Sequence, residues 1–243
     1  PLTVHRSPVV EGFLPISALM SLKSLVLSGQ WDPVHPAGLT ILLAALTISL
    51  VARKAFCSWI CPVGAVSRGV AALGERWLGR WVEIPASSRL GVALTLPKYL
   101  LLGLFLWVIL LGLDERAIQA FRHTPYNYVA EIKMLLFFLE PSAFTLAVLT
   151  ILLGLSLLIR NFWCRFLCPY GALLGMLGAL SPLRIHRQSD HCTGCRRCSR
   201  GCPSEILVHS AGEVRSPECT GCLTCVARCP VPGTLTVRAS ERR

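Results

Sequence analysis

Charge is what this chain has least of. Only 15% of its 243 residues are Asp, Glu, Lys or Arg, against about 25% in an ordinary soluble domain. Acidic residues are scarcer than basic ones, thirteen against twenty-four, for a formal net charge of +11. With 53% hydrophobic residues and a mean hydropathy of +0.58, the polar surface is too small to cover a globule in water. Disorder and a nucleic-acid-binding globule therefore both fit poorly. Also absent are a glycine loop that could cradle phosphate, a Ser/His/Asp set and a hydrolase-like carboxylate pair. No two histidines oppose each other in the apolar stretches, which argues against a transmembrane haem. What the chain has in excess is cysteine, twelve in all, and long apolar runs.

Three runs read as membrane spans of roughly 20 residues each: Gly38–Ala52 with its flanks, Leu90–Leu113, and Pro141–Ile159. Lys98 inside the second is expected to snorkel towards a headgroup. Phe13–Leu27 and Glu131–Glu140 are short and carry charge, and read as helices lying at the interface. Basic residues concentrate between the first and second spans and after the third, so those parts are placed in the cytoplasm. Pro1 is then outside. The chain opens without methionine or a signal-peptide pattern, which predicts an upstream segment such as a further span. The expected organisation is an extracytoplasmic segment over 1–35 with an interfacial helix, a transmembrane domain over 36–182, and a cytoplasmic domain over 183–243.

An internal repeat orders the membrane part. A shift of 107 residues lays Leu39–Val66 over Leu146–Leu173 with 11 identities in 28 positions. The shared pattern R-x3-C-x3-C-P-x-G-A pairs Arg53 with Arg160, Cys57 with Cys164 and Cys61 with Cys168. Both copies run in the same direction, so the repeat is parallel about an axis along the membrane normal.

After Pro182 the chain becomes polar, arginine-rich and cysteine-dense. His191–Pro203 (HCTGCRRCSRGCP) and Glu218–Pro230 (ECTGCLTCVARCP) are two copies of C-x2-C-x2-C-x3-C-P. In that run three cysteines wrap one iron–sulfur cubane and the fourth serves the other cluster. Cys192, Cys195, Cys198 and Cys229 are expected to hold one 4Fe-4S cluster, and Cys219, Cys222, Cys225 and Cys202 the second. Zinc and disulfides are the alternatives. Zinc sites separate their C-x2-C pairs by a longer loop, and a cytoplasmic domain disfavours disulfides. The segment is too short and polar to fold on an apolar core, so metal binding is expected to drive its folding.

FCSWICPVGA (Phe56–Ala65), WCRFLCPYGA (Trp163–Ala172) and the two cysteine runs together resemble the NapH/NosR group of ferredoxin-type membrane proteins. The resemblance covers nearly the whole chain. It implies a mainly α membrane protein with three or more spans and a small α+β dicluster ferredoxin domain in the inner membrane of a bacterium. It also implies electron relay between the quinone pool and a respiratory reductase or its maturation system, which would make the chain an electron-transfer component or a quinol dehydrogenase subunit. The same signatures occur in CcoG-type proteins, which leaves copper reduction or copper handling through the C-x3-C-P thiols as the alternative.

Cysteines four apart share one helix face, and the repeat axis could bring Cys57, Cys61, Cys164 and Cys168 together. Such a site would take a third iron–sulfur cluster, or serve as redox thiols or a Cu(I) site; the plain alternative is helix-end packing. Arg53 and Arg160 either balance thiolate charge or anchor spans at the headgroups. For quinol, the candidate polar groups are His35, His123, Glu131 and Lys133. Two oxidised clusters at about −2 each lower the formal +11 to roughly +7. Ten arginines against five acids after Leu183 suit either an anionic leaflet or an acidic redox partner. The expected partners are thus membrane lipid, quinol or quinone and a redox protein, and not nucleic acid.

Overall fold

The computed structural model describes residues 10–79 and 82–239. The chain divides into two compact units, Pro1–Ala45 with Leu102–Val148, and Leu46–Leu101 with Leu149–Arg243.

Helices α1 (Pro15–Ser28), α2 (Pro36–Ala52), α3 (Ala55–Trp59) and α4 (Pro62–Trp77) come first. Three of the four begin on a proline, whose fixed φ and missing N–H suit the first helical position. Helix α5 (Arg89–Trp107) runs into a π-turn over Val108–Gly112. Then follow α6 (Glu115–Arg122), α7 (Pro125–Tyr128), α8 (Ala130–Leu139), α9 (Ala143–Leu158) and α10 (Pro169–Ala179).

Of the three expected spans, one helix among the described residues is by itself long and apolar enough to cross a membrane. It is Arg89–Gly112, 24 residues, and only 17% of its most apolar window is buried. Leu100 is 70% and Leu111 76% exposed, which a core helix would not be. The other two expected spans are cut short for identifiable reasons. Arg53 adopts φ 62, a left-handed conformation that stops α2 after 17 residues. Asn161 adopts φ 51 just beyond α9, which has 16 residues. Before α9, Pro141 holds Glu140 out of the helical region, and α8 meets α9 at 79°. The bent pair counts as a second span only if both helices form one crossing.

The repeat is visible in the backbone. Each copy runs from an apolar helix through a left-handed turn and a short coil of helix to a Cys-Pro that opens the next helix. The short coil is α3 in the first copy and a π-turn, Trp163–Leu167, in the second. Cys61 and Cys168 are the N-cap residues of α4 and α10, each with proline next. Gly64 is required at the first of these starts, since a Cβ there would lie 2.1 Å from the Cys57 carbonyl oxygen.

In the first unit, Lys23 of α1 points at the end of the α5 π-turn and donates to the carbonyls of Ile109, Leu110 and Leu113 at 3.1, 2.9 and 2.5 Å. These carbonyls have no continuing helix to accept from, so a cation there satisfies them.

In the second unit, β1 (Leu183–Arg187) and β2 (Leu235–Ala239) form an antiparallel pair with Ile185 opposite Val237. Two short helices, α11 (Arg197–Arg200) and α12 (Thr224–Ala227), lie between them in sequence. Ile185, Ile206, Val208, Val214 and Leu235 make a small core together with buried Cys202, Cys219 and Cys225. The segment 211–215 is clipped to β1 through Glu213, which accepts from Arg184 at 2.7 Å and Arg215 at 2.8 Å.

The Arg184 hydrogen bond, with that of Arg215, holds the Glu213 carboxyl down at about 2. A depressed carboxylate stabilises the fold above its unfolded value near 4.3, and that contribution disappears as pH falls towards 2. Glu213→Gln should therefore lower stability by about 1 kcal/mol at pH 7. The deficit should shrink between about pH 4 and 2, as read from denaturant midpoints of both proteins across that range.

Candidate metal centres

The two cysteine runs fold into the same loop twice. Gly194 and Gly221 take φ 69 and 61, and two residues later Arg196 and Leu223 both take φ 59. A four-residue helix then follows in each copy. This curl turns three cysteines of each run inwards, and each run's last cysteine reaches across to the other. Cys192, Cys195 and Cys198 line a cavity together with Cys229. Cys219, Cys222 and Cys225 line a second, together with Cys202.

The donor chemistry of each cavity is four thiols around a void. All twelve cysteines are free, so no disulfide closes these loops. Among the described residues, no three His, Cys, Asp or Glu side chains converge tightly enough for a single metal ion. A tetrahedral zinc site draws four sulfurs to about 2.3 Å from one point, whereas a cubane keeps them apart around its own body. The residues present fit the cubane.

The cavities differ in depth. Cys195 is exposed and Cys192 half-buried, whereas Cys202, Cys219 and Cys225 are buried. Backbone N–H groups of Gly194 and Arg197 lower the Cys192 and Cys195 thiols. Burial pushes Cys202 up to about 11 and Cys225 to about 12.

The four C-x3-C-P cysteines are brought together. Cys57 lies within electrostatic reach of Cys61, Cys164 and Cys168, and of the Lys54 ammonium. Burial raises Cys57 to about 12 and Cys164 to about 11, so as free thiols they stay protonated at neutral pH. Helix-end contacts support them: Gly171 donates to Cys168 Sγ at 3.3 Å, and the Phe56 and Tyr170 rings meet edge-on at 6.1 Å.

The cysteine-rich segment is docked against these elements by buried cations. Arg53, 3% exposed, donates to the Ser216 carbonyl at 2.6 Å, just ahead of the second run. Arg160 donates to the carbonyls of Arg200 and Cys202 in the first run and pairs with Glu75 at 2.9 Å. Neither arginine serves as a headgroup anchor; both bind backbone. Trp59 Nε1 donates to Gly221 at 3.3 Å, where a Cβ would lie 3.0 Å from the Ala52 carbonyl oxygen. Glu218, the residue before Cys219, pairs with Lys98 at 2.5 Å and Lys54 at 3.5 Å. The expectation that Lys98 snorkels is thus corrected. Its side chain is fully buried, held by Glu218 and by the Arg165 carbonyl at 2.8 Å, because an acid placed within reach is a better partner than a distant headgroup. Arg165 in turn pairs with Glu205 at 3.1 Å, and Glu205 accepts from the Ile84 N–H at 2.6 Å.

Among the quinol candidates, His35 is buried in the first unit. Its Nε2 faces the Asn127 carbonyl at 3.1 Å and its Nδ1 lies 3.8 Å from Glu11. Asp32 accepts from the Val34 and His35 N–H groups and lies 3.9 Å from Arg122. The Asp32 carboxyl is lowered: hydrogen bonds from Ser21, Val34 and His35 outweigh its burial. His123 and Lys133 are exposed. The Glu131 side chain lies outside the described residues.

Sequence inspection missed Lys54, Glu218, Glu205, Glu11 and Asp32. A signal existed for the first two. At the aligned positions the other repeat copies carry Asn161 and His191, so each pair of copies differs in one charge.

Residues 34–84 and 142–188 match a family described as a 4Fe-4S binding domain, and residues 184–230 match a 4Fe-4S dicluster domain. The chain is 46% identical over 233 residues to YccM of Escherichia coli (strain K12), a protein named for electron transport. That match covers 96% of this chain and 64% of YccM. The methylamine utilization ferredoxin-type protein MauN of Paracoccus denitrificans is 30% identical over 73% of this chain and 58% of its own length. The ferredoxin-type protein NapH of Haemophilus influenzae is 29% identical over 72% and 57%. The chain thus spans less than two thirds of each of these relatives. No solved structure matches it.

Removing one partner from a buried ion pair costs about 3–5 kcal/mol because the other charge stays buried. Glu218→Gln strands both Lys54 and Lys98, whereas Lys98→Met leaves the Lys54–Glu218 contact. The first variant should melt well below the second, measured by tryptophan fluorescence of the whole protein in detergent.

Proposed function

The chain is a NapH-like 4Fe-4S protein with ferredoxin-type domains, and we propose that it relays single electrons from the quinone pool of a bacterial inner membrane to a respiratory reductase or its maturation system. The observation that carries this is the pair of cavities, each lined by three cysteines of one run and the last of the other. Cys192, Cys195, Cys198 and Cys229 hold one cluster, and Cys219, Cys222, Cys225 and Cys202 the other. When bound, each cluster takes up and gives back one electron without rearranging bonds. The protein's own part is to supply thiolates, exclude water from the inner cavity and fix the distance to the C-x3-C-P elements.

We assign a third cluster to Cys57, Cys61, Cys164 and Cys168. Two facts favour it over copper or dithiol chemistry. The family match described as a 4Fe-4S binding domain covers both copies of the motif. Burial also raises the Cys57 and Cys164 thiols, which keeps them protonated until a metal takes the proton's place and so disfavours free dithiol chemistry. Lys54, Arg53 and Trp59 tie the C-x3-C-P elements to Glu218, Ser216 and Gly221 of the second run and its flank, which supports a route from the C-x3-C-P site through the inner cluster to the outer one.

The reading places the cysteine-rich domain in the cytoplasm and three helical segments, around α2, α5 and α9, in the bilayer. Its support is the basic bias of the flanking segments and the exposed apolar surface of α5. Quinol is the membrane donor, with buried His35 and its neighbour Glu11 as the groups able to take its protons.

Anaerobic iron and sulfide analysis with low-temperature EPR tests the assignment. Changing the four C-x3-C-P cysteines to serine should remove about four irons per chain and leave the signals of two clusters. Unchanged iron with loss of bound copper would instead make the chain a copper-handling assembly factor. Reduced quinol should bleach the clusters of the unaltered protein.

A further inference from the structure

The two cysteine loops have one backbone and two different rims. Directly after the second cysteine of each run stands Arg196 in one copy and Leu223 in the other, at the same left-handed φ of 59. Each lines the mouth of its own cavity. The next aligned positions pair Arg197 with Thr224 and Arg200 with Ala227. The first copy thus carries three arginines where the second carries Leu, Thr and Ala.

These rims face different surroundings. The Leu223 copy is the one tied by Glu218 to Lys54 and Lys98, and by Gly221 to Trp59. The Arg196 copy carries the exposed cysteine, Cys195. Around it Arg196, Arg197 and Arg200 are all exposed, Arg200 donating to the Cys195 carbonyl at 3.0 Å, and Arg187 lines the cavity wall. Asp190 is the one acid between Arg187 and Pro203. A left-handed conformation strains a non-glycine residue, so a long cationic side chain is held at a place where glycine would sit without strain.

We propose that the mouth of the outer cavity is the docking face for an acidic redox protein, with Arg196 and Arg197 as its central contacts. This rests on the electron-relay function proposed above. A protein partner is favoured over an anionic membrane because the arginines ring the exposed cysteine of a cluster cavity, so what docks there comes within electron-transfer distance; lipid headgroups would only cover that cluster. At this face one electron passes between the outer cluster and the partner's own flavin or iron–sulfur group. One is oxidised as the other is reduced, and no bond or proton moves in this chain. Charge complementarity of this kind sets encounter rate and partner choice, and it weakens with salt.

The test uses the full chain in neutral detergent under anaerobic conditions, with a strongly acidic flavodoxin as probe. Binding is read by thermophoresis at low and high salt, and electron transfer by stopped flow. Arg196→Gly with Arg197→Gln is the informative pair, since glycine relieves the φ at 196 and cannot fail through backbone strain. It should weaken binding about tenfold and flatten the salt dependence. Arg76→Gln, which removes an exposed arginine of α4, should leave both unchanged. Equal weakening by Arg76→Gln would overturn the proposal, because net charge alone would then explain the effect. So would unaltered flavodoxin binding combined with lost sedimentation on phosphatidylglycerol vesicles, which would make the rim a membrane contact. Low-temperature EPR of the reduced protein separates the two levels: missing cluster signals defeat the relay function, whereas intact signals with insensitive binding defeat only the docking face.

Discussion

Buried cations hold the second unit together. Arg53, Lys54, Lys98, Arg160 and Arg165 all lie under 10% exposed, and all five reach a backbone carbonyl or a carboxylate of the cysteine-rich segment or its flanks. A cation taken out of water is costly unless it is paired and hydrogen-bonded. Lys54, Lys98, Arg160 and Arg165 each have a carboxylate partner, whereas Arg53 relies on the Ser216 carbonyl. The geometry is therefore specified: Glu218 has two ammonium partners, and Arg160 has carbonyl acceptors as well as Glu75. Apolar packing alone would let the polar segment slide over the helices that carry the C-x3-C-P motifs. Directional charge contacts fix one register, and continuity between cysteine groups depends on that register.

Much of this was legible beforehand. The two cysteine runs, their shared spacing and the parallel duplication are visible as letters, because ligand spacing is local and a duplication leaves identities. The crossing of Cys202 and Cys229 follows from the run itself. The long apolar α5 was legible for the same reason, as was the expected break between Glu131–Glu140 and the run that follows Pro141.

What could not be read were pairings between residues far apart in the chain. Lys98 and Glu218 are 120 positions apart, and nothing near either one announces the other. A lysine in an apolar run has a generic interpretation, which here was wrong, since the partner lay in another part of the chain. The left-handed turns at Arg53 and Asn161 were equally hidden: neither residue is glycine, and apolar periodicity continues to their doorstep. In the first unit His35 was noticed, but the acids that surround it, Glu11 and Asp32, come from the segment before α1 and the loop before α2 and share no motif with it.

The exchanged fourth cysteine has a consequence for biogenesis. Neither cavity is complete on its own stretch of chain: the first run waits for Cys229, and the second needs Cys202 from behind it. On the ribosome the first three cysteines of the outer cavity emerge before their fourth, so the nascent segment spends that interval as exposed thiols with no finished cradle. Neither cradle closes until nearly the whole segment has been translated, and both close at almost the same moment. A break anywhere between the runs opens both at once.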